Sequence, residues 1–346
     1  MTVVREAHEA HGATFREVAD RSFPAEYGRP ERTHGAVRNG VGVTEHAFDV
    51  VVATGGDRHG FVDDAATGSV PTEDGEASYA VVLDGDGAVR ADCYVFATGD
   101  RLLVFLPAGE GDAVASEWRE AAGDRDAEFA VATDDFGTFG VHGPNATEKI
   151  ASVLHHASPP EERLRFVRGE MEGGVTVVRD DDLAGDEGYL VVCAAEDADE
   201  VFQTLLVRGL NAVPFGRETW ETLTLEAGTP LFEAELRGRT VADAGLSGLL
   251  ADGGDAQAAG EGARLVGLEP EELPEQGAAV TVDGEDVGAV TRAAVSPTRD
   301  VPLAFAAVSG VEPDTERVTV GDGVAADVVD LPFVDTGQRS RRIPEY

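Results

Sequence analysis

The sequence predicts an α+β protein of antiparallel sheets and helices, followed by a small C-terminal β-barrel. Three observations predict it. Short apolar runs are separated by tight turns such as Asp84-Gly85-Asp86-Gly87 and Thr98-Gly99-Asp100, the pattern of a β-meander. Helix-period segments interleave with these runs, but through hairpin-sized connections, which argues against a doubly wound parallel sheet. Beyond residue 262 short strands crowd together with turns between them, as in a barrel or sandwich.

In chain order, residues 3–20 have a helical look with uneven apolar spacing, and Pro24 and Pro30 are expected to break regular structure after it. Runs at 48–54, 78–89, 91–98 and 101–107 form the meander, and an amphipathic helix is expected from Gly111 to Ala122. The strands EFAVATDD and FGTFGVHG precede a helix opening near Asn145. His155 and His156 would close that helix, where cationic side chains suit the dipole. Strands RLRFVRGE, GVTVVRDD and GYLVVCAA come next, then helices beginning near Asp197 and Arg217. The small, polar stretch 251–262 reads as a linker, so the expected domains are residues 1–250 and a barrel domain at 263–346.

A chain of 346 residues with 42% hydrophobic content can bury more than one core. It carries 66 acidic and 27 basic residues, a formal charge of -39, and Lys149 is the only lysine. The acidic residues are spread over the whole length, which reads as adaptation to high salt, where dense counterions screen self-repulsion. The same charge argues against general nucleic-acid binding, which needs local Lys and Arg. The one basic cluster, Arg339, Arg341 and Arg342, reads as a tail pairing with the protein's own acidic surface. Cys93 and Cys193 lie in apolar runs without metal or redox spacing and are expected to be buried. No apolar run approaches the roughly 20 residues of a membrane span, and no signal-peptide core opens the chain. A soluble, cytoplasmic protein is expected.

Few motifs carry chemistry. His8 and His11 flank Glu9 at one residue less than the zincin spacing and have no third ligand near, so no metal site is expected. ATGGDRHG (53–60) lacks the lysine of a P-loop and reads as a turn, and no G-x-S-x-G elbow occurs. Asp92 is different. It enters the apolar run CYVFAT just after the DGDG turn, where a carboxylate must find a donor or shift its pKa upward. Two readings stay open on these grounds: a strand-start residue capping the turn, or a site carboxylate that orients or deprotonates an amine.

Five blocks in order resemble the glycine-cleavage T-proteins, the aminomethyltransferases. They are GAVRNGVGV (35–43), VHGPNATEKIASVL (141–154), GDEGYLVV (185–192), WETLTLEAGTPLF (220–232) and VGAVTRAAVSPTRDVPLAFAAV (287–308). The resemblance spans about residues 34–333. It implies two interlocked α+β pieces around a central channel that holds tetrahydrofolate or a related pterin, with a C-terminal β-barrel. It also implies that Asp92 is the catalytic carboxylate that hydrogen-bonds the folate amine, and that Asp186, Tyr189 and Trp220 help hold the ligand. A lipoyl carrier protein is the partner such a family suggests.

Four positions depart from the family pattern. Leu190 stands where a glutamate anchors the pterin, Leu183 where a tyrosine is expected, Trp220 where an arginine grips the acidic tail, and Pro107 where an asparagine is expected. A leucine cannot accept the pterin's N–H groups, and an indole cannot replace a guanidinium fork, though it can stack on a ring. The related YgfZ branch, folate-binding proteins that support iron–sulfur enzymes, carries K-G-C-x-x-G-Q-E where this chain has LEAGTPLFEAEL, so that motif is absent too. The expectation is therefore a folate-binding protein with an auxiliary role in one-carbon or iron–sulfur enzyme metabolism. The alternative is an active aminomethyltransferase-like enzyme.

Overall fold

A computed structural model describes residues 2–250, 262–311 and 315–346. The linker read at 251–262 lies, apart from Gly262, outside the described residues. The helices are α1 Arg5–Ala10, α2 Pro30–Arg38, α3 Arg58–Ala65, α4 Gly111–Ala122, α5 Ala146–Val153, α6 Ala198–Val207 and α7 Arg217–Glu226. The strands open with β1 Thr14–Val18, β2 Arg21–Glu26, β3 Gly42–Glu45, β4 Phe48–Thr54, β5 Ala77–Leu83, β6 Val89–Ala97, β7 Leu102–Pro107 and β8 Glu128–Val131. They continue with β9 Phe136–His142, β10 Phe166–Glu170, β11 Gly174–Arg179, β12 Gly188–Ala194 and β13 Val213–Pro214. The last six are β14 Arg264–Pro270, β15 Ala279–Val282, β16 Glu285–Ser296, β17 Val301–Val308, β18 Arg317–Val320 and β19 Val324–Val329.

The chain divides into two units. The first comprises Met1–Leu83, Ala91–Asp181 and Asp186–Thr219; the second comprises Asp84–Arg90, Asp182–Gly185 and Trp220–Tyr346.

In the first unit a five-stranded sheet, β5-β6-β7-β4-β8, faces a six-stranded one, β10-β11-β12-β9-β3-β13. Alternation along each strand decides what lies between them. Val50, Phe96 and Phe105 of the first sheet meet Val178, Leu190 and Val192 of the second in one buried cluster. The opposite face of β12 sends Tyr189, Val191 and Cys193 into a second core with α5 and α6. Cys93 is buried as well, so both cysteines act as small apolar side chains.

Three local expectations change. The N-terminal helix stops at Ala10, and residues 14–26 form a β-hairpin turning through Ala19 and Asp20 with φ of 48° and 63°. The uneven apolar spacing there reflects period 2 taking over from 3.6. Pro30 does not break a helix but opens α2, its missing N–H falling on a position with no intrahelical partner. The histidine pair is corrected too: α5 ends at Val153, His155 bridges Glu170 and His156 is left-handed, so neither closes the helix.

Lys149 has a structural assignment. Its buried Nζ donates to the carbonyls of Thr204, Arg208 and Leu210 around the end of α6. An ammonium offers three donors from one point, which a planar guanidinium cannot do. Lys149→Met should therefore cost about 1–3 kcal/mol by leaving buried acceptors unmet, read as a lower thermal midpoint. Burial also lowers the Lys149 pKa to about 8, below the ~10.4 of an unfolded lysine. Between those values the unfolded chain holds more protons, so the wild type should gain on Lys149→Met as pH rises from 8 towards 10.

The second unit holds a closed barrel, β14-β17-β16-β15-β18-β19, packed around Leu268, Val290, Ala304 and Val318. Its register slips between Val290 and Arg292 on β16, the kind of bulge that re-aims a side chain. Arg292 donates to Thr224 Oγ1 (2.8 Å) and to the carbonyls of Glu221 and Thr229, and pairs with buried Glu235 at 3.3 Å. Glu226, at the end of α7, accepts from the hydroxyls of Ser296 (2.5 Å) and Thr298 (2.9 Å) and from the Thr298 amide. The LEAG and SPT blocks, far apart in sequence, are thus two halves of one polar latch.

Candidate functional site

Asp92 lies within β6, on the same face as Tyr94 and Phe96, the face turned to the six-stranded sheet. It is 8% exposed. A donor that its burial demands is the hydroxyl of Tyr79 on the neighbouring β5, 3.1 Å from Oδ2. Cys93 points the other way, and burial first, then the Asp92 charge, raises its thiol out of the reactive range.

From Asp92 a line of rings crosses the space between the two sheets. Tyr79 and Tyr94 stand 5.5 Å apart, Tyr94 and Phe48 6.3 Å, Phe48 and His46 5.6 Å, and His46 and His142 5.8 Å. Phe215 adds a further edge 6.1 Å from His142. A carboxylate at one end and imidazoles at the other, with aromatic rings between, are the chemistry that a flat polar ligand uses.

The imidazole end is built by glycines. A β-carbon on Gly140 would stand 2.3 Å from His46 Nε2 and 2.4 Å from His142 Nε2, so only glycine leaves room for both rings. A β-carbon on Gly188 would collide with the Asp180 carboxylate at 2.2 Å. Gly188 is the cross-strand partner of His142, and Asp180 reaches over it to place Oδ2 3.5 Å from His142 Nδ1. Arg179 steadies the Asp180 carboxylate at 3.3 Å. Burial, then the neighbouring His46 ring and the Arg179 guanidinium, hold His142 well below the usual histidine range. Burial, then Arg217, lowers His46 to about 3. Both rings are neutral near pH 7.

The sequence-predicted residues fall in different places. Asp186 precedes β12 and forms a 2.8 Å ion pair with Arg38 of α2, both side chains largely buried. Tyr189 projects to the helical face of β12, its hydroxyl on Thr147 at 2.8 Å, opposite to the face that carries Leu190. Trp220 is buried in the second unit, where its carbonyl accepts from Thr224. Pro107 ends β7 opposite Phe48. Sequence reading missed Tyr79, His46, His142 and Asp180. Strand alternation could have put Tyr79 beside Asp92, but two histidines 96 positions apart meet only through the β3–β9 pairing.

His8 belongs to another cluster. Its Nε2 meets Glu45 at 2.8 Å and its Nδ1 the Tyr27 hydroxyl at 2.7 Å, so both ring nitrogens are engaged. Among the described residues no group of three His, Cys, Asp or Glu side chains could hold a metal ion. No helix among them is long and apolar enough to cross a membrane.

The fold is an α+β architecture of two facing sheets in the first unit, with a closed barrel in the second. Residues 4–251 match the family model of the GCVT N-terminal domain, and residues 264–335 that of the glycine cleavage T-protein C-terminal barrel domain. The chain belongs to the glycine-cleavage T-protein family. It is 30% identical to a probable aminomethyltransferase of Natronomonas pharaonis, over 95% of this chain and 98% of that one. It is 29% identical to an aminomethyltransferase of Saccharopolyspora erythraea, over 96% and 97%. The crystal structure of glycine cleavage system aminomethyltransferase T from Bartonella henselae shares the fold, with a TM-score of 0.85, 21% identity and 98% of each chain covered.

Proposed function

We infer that this protein binds a reduced folate or related pterin between the two sheets of its first unit and serves one-carbon transfer. The observation that carries the reading is Asp92, a buried carboxylate held by Tyr79 at the head of a line of aromatic rings. The folate would supply the nucleophilic amine. Asp92 would accept a hydrogen bond from that amine and take its proton as the amine–carbon bond forms, the carbon giving up its carrier sulfur as thiol and its amino group as ammonia. Tyr94 and Phe48 would offer ring faces to the heterocycle. The fit is good at the amine end. It departs from the family at Leu190, which packs with Phe96 and Phe105 and offers no acceptor.

The net charge of -39 and the haloarchaeal relative support work at high salt. An aminomethyl group is the one-carbon unit that the relatives' names suggest, and a lipoyl carrier protein is the donor that the family resemblance implies. A second reading, an auxiliary folate-binding protein without turnover, is favoured by the apolar setting of Leu190. Incubation with aminomethylated lipoyl carrier and tetrahydrofolate in molar KCl separates the two. Methylene-tetrahydrofolate formation supports the transferase, and binding without product leaves the auxiliary role.

A further inference from the structure

The polar end of the ring line has no counterpart among the roles assigned so far, and its placement is specific. Gly140 is the cross-strand partner of Leu190 on one side and of Thr44 on the other. The Nε2 atoms of His46 and His142 converge above that glycine, beside the leucine that offers no hydrogen bond. The geometry points to His46 and His142, seated by Gly140 and steered by Asp180, as the hydrogen-bonding wall of the ligand site. Such a wall selects a flat nitrogen heterocycle presenting an N–H edge, of the aminopyrimidinone type. This inference rests on the folate-type reading above and adds which residues read the ring.

The tautomer sets the chemistry. The Asp180 carboxylate, 3.5 Å from His142 Nδ1, biases the His142 proton towards that nitrogen through its charge. A neutral imidazole carries one donor and one acceptor, so His46 can accept from a ring N–H or donate to a ring nitrogen or oxygen. A carboxylate would be acceptor-only and charged. Burial keeps both imidazoles uncharged, so the wall recognises hydrogen-bonding pattern without a net charge. His46 is the half-buried member and His142 is almost fully enclosed, so His46 meets the ligand and His142 positions it. Two further glycines fit the same design. Gly188 admits the Asp180 carboxylate, and Gly42 lies beside His142 where Val37 and Phe215 close in.

The test uses the full chain in molar KCl, with histidine side chains labelled with nitrogen-15 and tetrahydrofolate as probe. Titration should move the His46 ring-nitrogen resonances. His46→Phe should weaken tetrahydrofolate at least tenfold, and His46→Gln, which keeps a donor and an acceptor, should recover part of the loss. Asp180→Asn should shift the His142 tautomer signature and weaken binding less, a change that a purely structural role would not produce. Gly140→Ala should mimic His46→Phe; if it fails to fold, the two His46 variants still decide. Tetrahydrofolate binding with unmoved histidine resonances and unchanged affinity in His46→Phe overturns this inference alone. No binding by the wild type overturns it together with the folate reading.

Discussion

Arg292→Met is expected to destabilise the protein by about 3–5 kcal/mol, among the largest effects of any single change in the second unit. The arginine is nearly buried and spans α7, the segment after it and the barrel strand β16. Removing it strands the Glu235 carboxylate, 1% exposed, with only the Leu231 amide and the Thr291 hydroxyl as partners. It also takes one donor from each of the Glu221 and Thr229 carbonyls. Adding Glu235→Gln should recover part of the loss, because the uncompensated charge goes with it. Denaturation in molar KCl, which keeps the acidic surface screened, reads both. A loss below about 1 kcal/mol would mean that the latch does not hold the unit together.

The second large effect concerns chemistry. Asp92→Asn keeps the shape of the side chain and an oxygen for the Tyr79 hydroxyl, so the fold should be little disturbed. The substitution removes the charge and the capacity to take a proton. If the protein transfers a one-carbon unit to a folate amine, the rate should fall by roughly 10²–10⁴-fold. Tyr79→Phe should cost less, since it loosens the carboxylate without removing it. Equal rates for wild type and Asp92→Asn would take Asp92 out of the reaction.

These two residues also mark what the sequence made legible. The meander, α4 at Gly111–Ala122 and the terminal barrel could be read from periodicity and turns, because each is decided locally. The stretch WETLTLEAGTPLF could be recognised but not explained. Its Glu226 answers Ser296 and Thr298, some seventy residues on, and only the folded chain shows that the motif is a latch. Asp92 could be singled out as a buried carboxylate in need of a donor, and alternation along the meander could have put Tyr79 within reach, but the β5–β6 register fixes Tyr79 as a donor. The imidazole end was hidden for a similar reason. Gly140 and Gly188 look like ordinary strand glycines until the side chains that occupy their missing β-carbons are known. The N-terminal hairpin was misread because a short helix and a short strand share one apolar count when neither period completes two turns.

The central claim is that a reduced folate binds in the first unit against Asp92. The most direct measurement is calorimetric titration of the wild-type protein and of Asp92→Asn with tetrahydrofolate in molar KCl. Saturable binding to the wild type is expected, with a loss of at least tenfold in affinity for Asp92→Asn. Wild-type protein that gives no heat of binding, or binds no more tightly than Asp92→Asn, would contradict it.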